Sequence, residues 1–121
     1  MVGQRVKNSF HHAARGFWRV LKAELNFRIE VVVSIIVIIA LSYFRLPLWQ
    51  SVMVLLLITV VLVMELLNTA FEYVTDLLKP RLNHYVAAIK DVLAAAVFIT
   101  SIGSAVIGVM IFWPYFMSLF R

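Results

Sequence analysis

The chain has 121 residues, of which 64% are hydrophobic and 14% charged, and its mean hydropathy is +0.98. A water-soluble domain this small cannot hide so much apolar surface, so the bilayer is the solvent the composition calls for. The absence of cysteine excludes disulfides and thiolate metal sites, and the net charge of +5 gathers beside apolar stretches, which points to anionic lipid headgroups and away from nucleic acid.

Residues 5–28 read as an amphipathic helix. Val6, Phe10, Ala13, Phe17 and Leu21 recur at spacings of three and four, while Lys7, Arg15, Arg19 and Lys22 fall mostly on other faces. Such a helix suits the membrane interface. Nothing in this polar, basic stretch has the early apolar core of a cleavable signal peptide.

Three spans follow. The first, 31–44, is short for a bilayer, with Arg28 and Arg45 able to snorkel at its ends. Pro47 suits the start of the second, which runs over 48–78: apolar from Val52 to Met64, then a polar stripe, until Pro80 stops it. The third covers 86–113, with its apolar part from Val92 to Phe112. Its Thr100, Ser104 and Gly108 sit four apart on one face, a spacing that predicts close helix packing. Trp49 on the second span and Trp113 and Tyr115 on the third mark one interface. The fold expected is a single all-α membrane domain. Most basic residues lie in the N-terminal arm and in the loop at 79–83, so the positive-inside rule predicts a cytoplasmic N-terminus and an external C-terminus.

All six acidic residues fall on the cytoplasmic half: Glu24, Glu30, Glu65, Glu72, Asp76 and Asp91. Glu65, Asn68, Glu72 and Asp76 have offsets 0, 3, 7 and 11, which groups them within about 80° on one helix face. Glu65 lies about 24 Å along the helix from Trp49, just inside the hydrocarbon boundary. A carboxylate there costs on the order of 3 kcal/mol and marks a functional position. At that depth it meets the polar end of a hydroxyl-bearing lipid, whereas Glu72 and Asp76 stand further out, within reach of a water-borne nucleotide. This geometry suits phosphoryl transfer: a base beside the hydroxyl, carboxylates for Mg²⁺, and cations such as Arg5, Arg15, Arg81 and Lys90 against triphosphate charge. The same stripe suits a proton or ion pathway, although the outer half of every span lacks an acid. A non-catalytic assembly subunit would explain the small-residue face but not the stripe.

The run Glu65-Leu66-Leu67-Asn68-Thr69-Ala70-Phe71-Glu72-Tyr73-Val74-Thr75-Asp76 resembles the pattern E-x-x-N-[ST]-A-x-E-x-x-x-D of the prokaryotic diacylglycerol kinases, a family that includes the undecaprenol kinases. Lys90-Asp91 followed by Ala94-Ala95-Ala96, and upstream Glu24-Leu25-Asn26-Phe27-Arg28-Ile29-Glu30, extend the resemblance over nearly the whole chain. It implies a homotrimer with shared active sites in the bacterial inner membrane, MgATP as phosphate donor and a membrane lipid alcohol as acceptor. It implies that Glu65 is the catalytic base and that Glu24 and Glu72 hold Mg²⁺ on the nucleotide. Lys90 and Asp91 match nucleotide contacts, and Arg5, His12 and Asp76 match positions on the nucleotide side. Glu30 and Asn68 match positions near the lipid. Where relatives carry a Tyr-His pair before K-D, this chain has Leu82-Asn83-His84. The wording at Asn26-Phe27-Arg28 and Ser9-Phe10-His11 is closer to the undecaprenol kinases, which favours undecaprenol over diacylglycerol as acceptor. The chain has no G-x-x-x-x-G-K-[ST] and only four glycines, so phosphates would be held by side chains and Mg²⁺ rather than by a glycine-rich cradle.

Overall fold

The computed structural model describes residues 1–121 and contains four helices: α1 (Val2–Ala23), α2 (Leu25–Tyr43), α3 (Leu48–Leu78) and α4 (Asn83–Ser118). The last three are each long and apolar enough to cross a membrane. α3 is the hub. It packs most extensively on α4, then on α2, and α1 leans on α2 and α3 near its own C-terminus, whereas α2 and α4 do not pack on each other.

The expected helix over 5–28 is divided in two. Glu24 leaves the helical region (φ −111°, ψ 116°), ending α1 at Ala23 and starting α2 at Leu25. The cause is tertiary. In one continuous helix Phe17 and Phe27 would stand about 15 Å apart along the axis. The bend brings their rings to 5.1 Å, edge to face, and seals Phe27 completely from solvent. Residues 25–30 therefore extend the membrane helix, and the span expected to be short at 31–44 has 19 residues, about 28 Å.

α2 ends in a tight hydrogen-bonded cap. The Leu46 amide donates to Leu41 O at 3.1 Å and the Arg45 amide to Ser42 O at 3.3 Å. This is the six-to-one and five-to-two pairing of a Schellman motif, with Arg45 in the left-handed region at φ 53° and Leu46 buried as the apolar plug. Pro47 then caps α3.

α3 stops at Leu78, two residues before Pro80, and a turn over 79–82 leads into α4. α4 is longer at both ends than the 86–113 read from sequence. Its polar lead-in is already helical because Val86, 1% exposed, anchors it, and Pro114 is accommodated inside its last turns. At the far end the Phe44 ring meets those of Phe112 and Tyr115, and the Tyr115 hydroxyl donates to Gln50 Oε1.

Within one chain, the small-residue face of α4 does not make the close packing expected of it. A Cβ built on Gly108 would meet nothing within 4 Å. Ser104 and Gly108 instead border an open groove, and Thr100 turns its hydroxyl back to Ala96 O at 2.8 Å.

Candidate active site

Two adjoining spaces lie along α3. The first is a polar cleft of about 410 Å³ between α3 and α4, roofed by the start of α2. Its polar lining is Asn26, Glu30, Glu65, Asn68, Glu72 and Lys90, with Ser101 at one edge. The second is a groove of about 480 Å³, walled by α2 and α4 and floored by Val54, Leu57, Ile58 and Val61 of α3. Glu30 and Ser101 belong to both, so the polar cleft opens into the apolar groove at that pair.

The polar stripe of α3 forms one wall of the cleft because three- and four-residue steps keep Glu65, Asn68 and Glu72 in line. Glu65 is the most enclosed, at 4% exposure. One turn on, the Thr69 hydroxyl donates to Glu65 O at 3.1 Å, closing this side of the helix. The Asn68 amide donates to Glu72 Oε1 at 3.3 Å, which aims the Glu72 carboxylate along the stripe. Further out, the Thr75 hydroxyl donates to Glu72 O at 3.0 Å. Asp76 is 62% exposed and pairs with Lys79 at 3.7 Å, the one ion pair in the chain.

Acidic groups from separate helices converge here. Glu65 lies within electrostatic reach of both Glu24 and Glu72, and Glu30 within reach of Glu65. Lys90, from α4, stands beside Lys79 and within electrostatic reach of Asp76 and Glu72. Such a concentration of carboxylates in one cleft repels itself and attracts a cation. One oxygen, Oε2 of Glu30, is buried without a hydrogen-bond partner.

Of the residues singled out in the sequence, the cleft unites Glu30, Glu65, Asn68, Glu72 and Lys90. Glu24, at the bend between α1 and α2, stands just outside that lining, with its charge acting on Glu65. Asp76 continues the stripe into solvent. Asp91 is exposed and outside the lining, next to Lys90. Arg5 and His12 lie on the exposed part of α1, which the fold does not bring to the cleft; the His12 ring stands beside His11. Glu24 and Arg28 form no ion pair. Sequence reasoning missed Asn26 and Ser101 of the cleft and Ser34, which lines the groove. Ser101 is next to Thr100 in sequence, and no periodic signal separates a serine lining a cleft from one bonded to its own helix.

No three histidine, cysteine or acidic side chains are grouped as a metal site made of protein alone. The donor set is nevertheless of the right kind for Mg²⁺ carried on a nucleotide. That ion takes oxygen ligands, one or two carboxylates and phosphate oxygens sufficing, and the cleft and its margin supply Glu72 and Glu24.

The family described as prokaryotic diacylglycerol kinase matches residues 11–112. The chain is similar to the undecaprenol kinase of Bacillus subtilis (strain 168), 34% identical over 110 residues, or 91% of this chain and 89% of that protein. It is also similar to the diacylglycerol kinase of Synechocystis sp., 34% identical over 112 residues, or 92% of this chain and 64% of that protein. No solved structure matches it significantly.

Proposed function

The chain belongs to the prokaryotic diacylglycerol kinase family and is a membrane lipid kinase, and from that premise we propose that it transfers the γ-phosphoryl group of MgATP to the hydroxyl of a lipid alcohol, undecaprenol in preference to diacylglycerol. The observation that carries the reading is the enclosure of Glu65, at 4% exposure, in a carboxylate-lined cleft that adjoins an apolar groove. A hydroxyl arriving from the groove and a phosphate arriving from water share only that cleft. The preference for undecaprenol is supported by the near full-length match to an undecaprenol kinase and by the sequence at Asn26-Phe27-Arg28.

In this mechanism Glu65 accepts the hydroxyl proton as the lipid oxygen forms its bond to the γ-phosphorus and the bond to the β,γ-bridging oxygen breaks. Burial between α3 and α4 keeps water from competing for the phosphoryl group. Glu72, oriented by Asn68, and Glu24, at the end of α1, would hold Mg²⁺ on the nucleotide. When bound, the ion neutralises phosphate charge. Lys90 adds a positive charge from the opposite wall, and Asp76 and Asp91 serve the nucleotide side. Arg5 and His12 are assigned to the nucleotide side as the family resemblance implies, from the exposed part of α1. The protein works as a homotrimer, with the cleft facing the cytoplasm.

The test is transfer of radiolabelled phosphate from ATP to undecaprenol or diacylglycerol in mixed micelles. The full chain should label undecaprenol faster, and Glu65→Gln should lower turnover by at least about 100-fold while retaining helix content and oligomeric state. Near-normal labelling by that variant would remove Glu65 from the role.

A further inference from the structure

We infer that the apolar groove between α2 and α4 seats one hydrocarbon chain of the lipid alcohol, and that the open space at Gly108 sets how much of that chain it takes. The inference rests on the lipid-kinase reading and goes beyond it in assigning the tail a seat.

The groove exists because α2 and α4 flank α3 without touching each other. Its floor is a single ridge, Val54, Leu57, Ile58 and Val61, with offsets 0, 3, 4 and 7, and is therefore one chain wide. One end is the junction with the polar cleft at Glu30 and Ser101. The other reaches Phe112, where the Phe44 ring lies across from α4 at 6.5 Å and Tyr115 ties α4 to Gln50. From Ser101 to Phe112 the groove measures about 16 Å along α4.

Two further observations identify the occupant. The unpartnered Oε2 of Glu30 lies at the junction, where an incoming hydroxyl meets an acceptor before it meets Glu65. The groove is also continuous with the cleft, so a chain lying in it delivers its polar end to the carboxylates. A tail held there gains packing rather than hydrophobic transfer, since it leaves one hydrocarbon for another. The advantage of the seat is orientation of the hydroxyl.

Gly108 lies about 10 Å from Ser101 along α4. Because a side chain built there meets nothing, Gly108→Leu fills the groove without straining the helix and leaves room for only the nearer part of a tail. Ser104→Leu does the same closer to the cleft.

The experiment compares full-length protein in mixed micelles with ATP and Mg²⁺, using prenols of increasing length and diacylglycerols of matched acyl length. For the wild type, kcat/KM should rise with tail length and level off once the tail spans the groove. Gly108→Leu should level off at shorter tails, with the long-to-short preference falling roughly fivefold and the shortest acceptor little affected. Ser104→Leu should level off shorter still, and serves if Gly108→Leu does not fold. Val106→Leu, outside the groove lining, should keep the wild-type profile. An unchanged profile in both groove variants, or an equal loss at every length, overturns the inference and leaves bulk lipid or a second copy of the chain as the occupant. A wild type that uses all lengths equally overturns it too, with the kinase reading intact. A wild type that labels no acceptor overturns the kinase reading and the inference with it.

Discussion

At the scale of single residues, the carboxylates divide by depth. Glu65 is enclosed, Glu72 is half-buried and bonded to Asn68, and Asp76 is in water beside Lys79. Glu72→Gln should keep the fold and raise the Mg²⁺ concentration needed for half-maximal activity by about tenfold or more, the order expected when one charged ligand of a metal is lost. A Mg²⁺ titration of phosphoryl transfer reads this directly, and an unchanged midpoint contradicts the assignment. Asn68→Ala removes the amide that aims Glu72 and should shift the same midpoint in the same direction by a smaller factor. Glu72, Asn68 and Glu65 were legible in the sequence because helical periodicity alone puts offsets 0, 3 and 7 on one face. Glu30 was read as one of the cytoplasmic-side acids and its role near the lipid came from the resemblance alone; its place where the cleft meets the groove could not have been read, because it depends on how α2 lies across α3.

At the scale of elements, the spans and the two joints marked by prolines were legible, and the joint between α1 and α2 was not. Pro80 fixes the end of α3 through local sterics. By contrast, the break at Glu24 has no local signal, since neither proline nor glycine occurs from Arg19 to Phe44, and the contact of Phe17 with Phe27 decides it. Phe27→Ala should therefore destabilise the docking of α1 by about 3 kcal/mol, visible as protease sensitivity in residues 1–23 while the spans stay protected. The cap of α2 offers the opposite prediction. Arg45 holds a backbone conformation that costs a non-glycine residue on the order of 1 kcal/mol. Arg45→Gly should raise the thermal unfolding midpoint in detergent by a few degrees; a lower midpoint would mean that the arginine head contributes more than the strain removes. The small-residue face of α4 was legible as a pattern but not in its use: the same spacing serves packing when a neighbour is present and a groove when none is.

At the scale of the whole molecule, one chain covers little of itself. Only eight residues are buried, and large apolar side chains are exposed along all three spans. Lipid accounts for part of that surface, and association with further copies accounts for another part in the homotrimer proposed here. Sedimentation in detergent should give a protein mass three times the 13.8 kDa of the chain, and a monomer that retains full activity would remove the need for shared sites. The basic surface of α1, with Arg5, Lys7, Arg15, Arg19 and Lys22 and no acid, should bind anionic vesicles in preference to zwitterionic ones, with the difference lost at high salt.

The hub position of α3 has a consequence for biogenesis. When α2 emerges from the ribosome it has only α1 to touch, and α4, the last to arrive, has no partner except α3. A chain cut after Leu78 would already carry every glutamate yet lack the wall that bears Lys90 and Ser101. Competence thus comes late in synthesis, when the final hydrophobic segment is inserted, so half-made polypeptides cannot bring phosphate donor and lipid together prematurely.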